Sequence, residues 1–261
     1  MLQGIKHLKP SDFAKFYFDF EPFDYQKEAL DFGFEPHASV SDEYKNVQLV
    51  WSRQVGKSTI AAIRAIFAGV MNDNWTVLVL APTQRQSGRL FRKIKRFITE
   101  SAQKYPELGL VKFIERETAT IIEFANGSEI LALPITETGD NIRGLTAHCI
   151  IIDECAELTK PEIWAVINPM TIMTKGSKWY IGTLKGKGNH FYNIYKNPDH
   201  YKFKQFMADY TQNPESDKEQ IQLDRETMPL AMWMQEYLNV PMEELDSFFP
   251  SALVDRIIGK F

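Results

Sequence analysis

The sequence predicts an α/β protein: a mainly parallel sheet covered by helices on both faces, with a small lid-like subdomain toward the C-terminus. Three observations predict it. Short apolar runs alternate with longer segments of helical spacing. The runs are solid rather than alternating, as in strands buried on both faces. From about Asn193 the texture turns polar and is punctuated by proline, so different packing is expected there.

The elements follow in order. Residues 1–45 read as a peripheral segment leading into the first strand. "NVQLVW" (Asn46–Trp51) is a buried strand, "SRQVGKS" the turn after it, and "TIAAIRAIFAGVM" a helix. "WTVLVLAP" (Trp75–Pro82) is a second strand, followed by "QRQSGRLFRKIKRFITESAQKY", a helix with one apolar face and a basic remainder. "TATIIEFANGSEILALPI" alternates around Asn126-Gly127, a two-residue hairpin signal. "HCIIIDE" (His148–Glu154) is a short strand ending in two acids. "KWYIGT" (Lys178–Thr183) and "YKFKQFMADY" complete the set. The expected divisions are a core over 46–192, a subdomain over 193–245 containing the helix near "LAMWMQEYL", and a linker over 246–261. No repeat or low-complexity tract interrupts them.

Composition narrows the class without naming a partner. A chain of 261 residues with 44% hydrophobic and 25% charged residues can bury an ordinary globular core. It has no apolar run of membrane-spanning length and no signal-peptide plan in "MLQGIKHLKPSDF", so no membrane partner is expected. Cys149 and Cys155 are too few for a disulfide framework and lack metal-ligand spacing, so a reducing cytosol is expected. A net charge of −4 argues against a protein coated in nucleic acid. It leaves open one that touches phosphates through a few side chains.

The turn after the first strand carries Gly56-Lys57-Ser58 directly before a helix. Such a turn aims several backbone N–H groups at one point. Gly56 lets the backbone approach phosphates, Lys57 reaches the outer ones, and the Ser58 hydroxyl suits Mg²⁺. The position where a phosphate loop normally opens with glycine holds Trp51. An ordinary strand–helix turn is the competing reading.

A second motif favours the phosphate reading. Asp153 and Glu154 close a buried strand. An acid there holds the Mg²⁺ shell in P-loop enzymes, and a following glutamate can activate the attacking water. With both motifs in order, the sheet is expected to be of the P-loop NTPase (ASCE) type, using ATP and Mg²⁺. Arg53, inside the loop, and Arg143, eleven residues ahead of Glu154, are candidate arginine fingers. The bland alternative for each is a surface arginine.

As an ordered set, these stretches resemble the large terminase subunit, the DNA-packaging ATPase of tailed viruses. "FDYQKEAL" (Phe23–Leu30) is similar to that family's glutamine motif, which implies that Gln26 reads the adenine edge. "SRQVGKST" resembles its deviant phosphate loop, which tolerates loss of the first glycine. This implies nucleotide contacts from Ser52, Arg53, Gln54, Val55, Gly56, Lys57, Ser58 and Thr59. "FANGSEILALP" and "IRGLTAHCIIIDE" match its hairpin, Arg-Gly and acidic strand. "YIGTLKGKGNHFYNIY" is similar to its coupling segment, implying that Thr183 senses the γ-phosphate, and "WMQEYLNVP" to its last helix before the linker.

The resemblance further implies translocation of double-stranded DNA into a procapsid. Its implied partners are the portal protein, the small terminase subunit and further copies in a ring of five, in the host cytoplasm at the portal vertex. In such a ring Arg53 would act within the chain and Arg143 across to a neighbour. One departure stands out. After Pro241, Glu243, Glu244, Asp246 and Asp255 have no sheet to gather them, so a metal-dependent nuclease is not expected in this sequence. The polypeptide is then expected to be the ATPase half of a longer protein, or one cut at the linker.

Other readings stay in view. The basic residues Arg85, Arg89, Arg92, Lys93, Lys95 and Arg96 are expected on a solvated helix face, with DNA or subunit contact as the alternative. The two glycines of "KGKGN" (Lys185–Asn189) permit a mobile element. His190, Cys149 and Cys155 are expected to pack. A superfamily 2 helicase would share the DExx-like Asp153-Glu154 but needs a second sheet domain. A non-hydrolysing, nucleotide-switched module needs neither Glu154 nor Arg53.

Overall fold

The apolar runs become the centre of one sheet. The computed structural model describes residues 8–33, 45–106 and 109–241. Its strands are β1 (Asn46–Trp51), β2 (Thr76–Ala81), β3 (Ile114–Glu117), β4 (Ile121–Phe124), β5 (Glu129–Pro134), β6 (Cys149–Ile152), β7 (Ser177–Gly182) and β8 (Phe203–Ala208). They lie in the order β3-β4-β5-β2-β6-β7-β1-β8. The six strands from β5 to β8 in that order are parallel, and β4 runs against both β5 and β3.

Both faces are covered, which explains the solid apolar runs. On one face α1 (Pro10–Phe18), α2 (Asp24–Asp31), α3 (Lys57–Met71) and α4 (Gln84–Lys104) pack on Leu49, Val79, Ile151 and Ile181. On the other, α5 (Glu162–Ile167) and α6 (His190–Lys196) pack on Val50, Leu80, Ile152 and Tyr180. Each pair of neighbours along a strand divides its side chains between two cores. α7 (Pro198–Tyr201) precedes β8, and α8 (Lys218–Thr227) and α9 (Leu230–Leu238) follow it.

The strand order positions the chemistry. β7 lies between β1 and β6, so the C-terminal ends of these three strands sit side by side. They deliver the loop at Ser52, Thr183 and Asp153 to one edge, where open α/β sheets bind their ligands.

The structure revises three expectations. The hairpin loop is three residues, Ala125 to Gly127: Gly127 N–H donates to Phe124 O (2.9 Å) and Phe124 N–H to Ser128 O (2.8 Å). Gly127 takes the left-handed conformation (φ 78°) while Asn126 does not, so a bulged turn replaces the two-residue one. A short strand, β3, adds an antiparallel edge that its four mostly exposed residues did not announce. The boundary expected at residue 193 falls inside α6, and β8 then pairs with β1 along its whole length. The sheet therefore runs to Ala208, and only the segment beyond it leaves the core. The linker residues and Glu243, Glu244, Asp246 and Asp255 lie outside the described residues.

Asn126 ties the hairpin to the helix that begins at the loop. Its Nδ2 donates to the carbonyls of Gly69 (2.9 Å), Val70 (3.2 Å) and Asn72 (2.7 Å) at the end of α3. These are the carbonyls a helix end leaves without partners. Asn126→Ala should cost about 1–3 kcal/mol, the penalty for stranding such groups. Urea unfolding followed by circular dichroism checks it; an unchanged midpoint would refute this role.

Candidate active site

The loop after β1 has the form of an anion cradle. Gln54 (φ 61°) and Gly56 (φ 91°) both adopt left-handed backbone. At Gly56 an added Cβ would come within 2.5 Å of Gln26 Nε2, so only glycine fits. The loop carbonyls are tied back into the protein. Trp51 O and Ser52 O accept from Lys57 Nζ (2.9 and 2.6 Å), and Gln54 O accepts from Asn213 Nδ2 (3.0 Å). Val55 O accepts from Tyr25 OH (2.9 Å) and Gln26 Nε2 (3.2 Å). The amides of Gln54 to Ser58 donate to no backbone carbonyl among the described residues. They stand at the N-terminus of α3, where partial positive charge collects.

Trp51 has a structural reason. Its side chain is fully buried, edge-on to Tyr25 at 5.1 Å between ring centres. The residue contributes only its carbonyl to the site, so the opening glycine is replaced by a core anchor.

Lys57 is the centre of the cluster. It is 8% exposed, and its ammonium also donates to Thr183 Oγ1 (3.3 Å), which itself donates to Trp51 O (3.1 Å). Burial pushes its pKa down to about 8, while the Glu154 and Asp153 carboxylates hold it up. Asp153 is also 8% exposed, and burial, reinforced by Glu154, pushes it up to about 6. Glu154 follows in left-handed backbone (φ 51°), an uncommon conformation for a glutamate. Its amide donates to Asp153 Oδ1 (3.0 Å), and its carboxylate lies 3.9 Å from Lys185 Nζ.

These groups border a cleft of about 670 Å³ lined by Arg53, Gln54, Gly56, Lys57, Ser58, Gln86, Arg89, Lys93, Glu154, Glu157 and Lys185. The cations outnumber the carboxylates, as a polyanion requires. The donor set also fits a small hard cation. Ser58 supplies a hydroxyl, and the hydrogen bond to Asp153 from the protein uses Oδ1, leaving Oδ2 free to ligate. No cluster of three His, Cys, Asp or Glu exists among the described residues. That suits Mg²⁺, which takes one or two protein oxygens and fills its shell from phosphates and water.

Several sequence-predicted residues are engaged by other groups or lie away from the cleft. Arg53 pairs with Glu236 of α9 through its side chain and donates its N–H to Glu236 O (3.0 Å). Gln26 is 3% exposed with both ends of its amide engaged: Oε1 accepts from Phe23 N–H (3.0 Å), and Nε2 donates to Tyr25 OH (3.1 Å) as well as Val55 O. It props the loop from below. Arg143 is exposed, bonded to Asp140 (3.2 Å), and absent from the lining of its own chain's cleft. Thr59 faces α4, accepting from Lys93 Nζ at 2.9 Å. His190 packs on Trp164 with ring centres 4.3 Å apart, and Cys149 and Cys155 are fully buried.

The solvated face expected for the basic helix holds only in part. Arg85, Arg89, Arg92 and Arg96 are exposed, but Arg89 also borders the cleft, together with the half-buried Gln86 and Lys93. Their spacing, beside the buried stripe of Leu90 and Ile94, was the available signal. Glu236, Asn213 and Asn239 gave none: they come from the far end of the chain. Asn239 Nδ2 donates to Val50 O (3.2 Å) and Ala208 O (2.9 Å), closing the ends of β1 and β8.

The pKa of Asp153 generates a stability prediction. Its folded value lies above the ordinary 3.8, so the folded state binds the extra proton between about 4 and 6. Ionisation penalises folding above pH 6, and the penalty disappears as pH falls toward 4. Relative to Asp153→Asn, the parent should gain up to about 3 kcal/mol between pH 8 and pH 4. Denaturant titrations across that range check it; a constant difference would refute it.

Comparison with known proteins places the chain in a family. Residues 49–254 match the model described as terminase large subunit, T4likevirus-type, N-terminal. The fold is shared with the Thermus phage P74-26 large terminase ATPase domain, at 22% identity and TM-score 0.66 over 89% of this chain and 98% of that one. The HK97 bacteriophage large terminase is similar at 14% identity and TM-score 0.72, over 89% of this chain and 55% of that one. So is the large terminase of a thermophilic bacteriophage in complex with ADP, at 14% and 0.66, over 84% of this chain and 53% of that one. The chain thus spans about half the length of those two relatives. With its phosphate loop, acidic strand end and intervening threonine on one sheet edge, this chain belongs to the large terminase family.

Proposed function

We propose that this chain is the ATPase motor domain of a large terminase, hydrolysing ATP with Mg²⁺ to drive double-stranded DNA into a procapsid. The observation that carries the reading is the buried Lys57 ammonium, held between the ends of β1 and β7 next to the acids that end β6. Two ionised, poorly solvated side chains at a strand edge are costly unless a polyanion and a cation complete them. The ADP held by a structural relative supports a nucleotide as that polyanion.

In this mechanism the free amides of Gln54 to Ser58 and the Lys57 ammonium grip the phosphate tail. Ser58 and Asp153 would hold Mg²⁺, which neutralises charge on the phosphate oxygens when bound. Glu154 orients a water and takes its proton as the water oxygen bonds to the γ-phosphorus and the bond to the β-phosphate oxygen breaks. Arg53 stabilises the transferring group after exchanging Glu236 for phosphate, and Arg143 reaches a neighbouring subunit's cleft in a ring. Phosphate drawing Lys57 forward loosens its bond to Thr183. The change then passes through "LKGKGN" to α6, the expected route to DNA movement. Double-stranded DNA, the portal protein, the small terminase subunit and further copies are the proposed partners, at the portal vertex in the host cytoplasm. The helicase alternative lacks support: the described residues hold a single sheet.

Lys57→Ala should strongly weaken ATPγS binding measured by calorimetry with Mg²⁺. Glu154→Gln should retain binding and lose about 10²–10⁴-fold in turnover. Nucleotide affinity unchanged in the lysine variant would sink the reading. For the arginines, Glu154→Ala subunits mixed with Arg143→Ala subunits should recover part of the hydrolysis each lacks alone. No recovery where rings form would remove the role across subunits.

A further inference from the structure

We propose that Arg89 and Lys93 of α4 form a capture surface for the nucleotide's polyphosphate, engaging it before Lys57 and Arg53 do. The inference rests on the nucleotide reading above and adds the order in which the cations act.

The cleft's cations are not equally available. Lys57 is committed to two carbonyls and a hydroxyl at the floor, Arg53 to Glu236, and Lys185 to Glu157 (2.6 Å). Arg89 and Lys93 line the same cleft, and neither has a carboxylate partner among the described residues. Among the described residues Lys93 Nζ donates only to the hydroxyl of Thr59, which sits beside Ser58 in the first turn of α3 (2.9 Å). The two residues stand four apart, so one helical face carries both charges. α4 holds that face rigidly through Phe91, Ile94 and Ile98, and Thr83 caps its start by accepting from Gln86 N–H (3.2 Å).

An incoming triphosphate therefore meets fixed positive charge on the α4 wall at no cost in broken ion pairs. The floor must first release Lys57 from the strand ends, and the opposite wall must release Arg53 from Glu236. Charge placed where a ligand enters acts on association rate and makes that rate salt-dependent. Burial lowers the Lys93 pKa, with the Asp153 charge opposing, so a phosphate beside it also restores a favoured ammonium.

The test is stopped-flow association of N-methylanthraniloyl-ADP with Mg²⁺, at several salt concentrations. The double variant Arg89→Ala/Lys93→Ala should associate about tenfold more slowly, with a flatter salt dependence. Arg89→Lys/Lys93→Arg should restore both, because charge rather than shape is required. Lys57→Ala should instead keep the association rate and speed dissociation. Association by the double-alanine variant at the parent's rate and salt slope, while the parent binds, overturns this proposal alone. Failure of the charge-preserving variant to restore the rate also overturns it. A parent that binds no nucleotide overturns the underlying reading, and this one with it. Circular dichroism confirms that each variant is folded.

Discussion

The structure depends on one desolvated ammonium. Lys57 lies almost out of water, bonded to the last carbonyl of β1, the first of the loop and the hydroxyl that follows β7. Those bonds require β1 and β7 to be neighbours, with the acidic strand β6 next in the sheet. The parallel order is therefore a condition for the site and not merely its support. Moving β7 or β6 away from β1 would cost the ammonium its hydroxyl or the acids that keep it charged. Losing the acids leaves an unpaired buried charge, among the costliest states available to a protein.

That constraint explains the electrostatics around it. Burial drives Lys57 and Asp153 each toward its neutral form, and each holds the other charged. Such mutual strain is stable only inside a rigid frame. The frame is visible in the loop carbonyls, which bond to α2, to the floor and to the segment beyond β8. With the carbonyls fixed outward, the amides of the same peptides must face inward. The proposed phosphate site thus arises from satisfying the backbone on its other side.

How much of this was legible follows from the range of each interaction. The strands, the two long helices and the Gly56-Lys57-Ser58 turn are written in local pattern, and so is Asp153-Glu154. The pairing of β8 with β1 joins residues about 157 apart, as from Asn46 to Phe203, and no local signal records it. For that reason the expected boundary cut through α6. Lys57 and Thr183 are each visible as motifs, but their bond is a property of the strand order. The inward turn of Lys93 was partly legible, because it borders the buried stripe of α4. A count of charges hid it, since Arg85, Arg92 and Arg96 on the same helix do face water. Glu236 was illegible: an acid on a late amphipathic helix looks like any solvated residue until α9 is docked on the loop.

The docking of α9 ties these strands of argument together. Through Glu236 and Asn239, the last described helix and its cap hold both the arginine of the loop and the carbonyl ends of β1 and β8. Three of the loop's supports differ in character. The floor is hydrogen-bonded sheet, the α2 side is a buried amide and phenol, and the α9 side is an ion pair. The last can be exchanged for another anion without leaving a neutral polar group buried: Arg53 is more than half exposed and water can follow it, whereas Glu236, 18% exposed, is left with a poorly solvated carboxylate. A ligand that competes for Arg53 would thus loosen the α9 side first while the floor and the α2 side stay fixed. The asymmetry lies within the pair: the cation already touches water, and Glu236 carries the cost of the exchange.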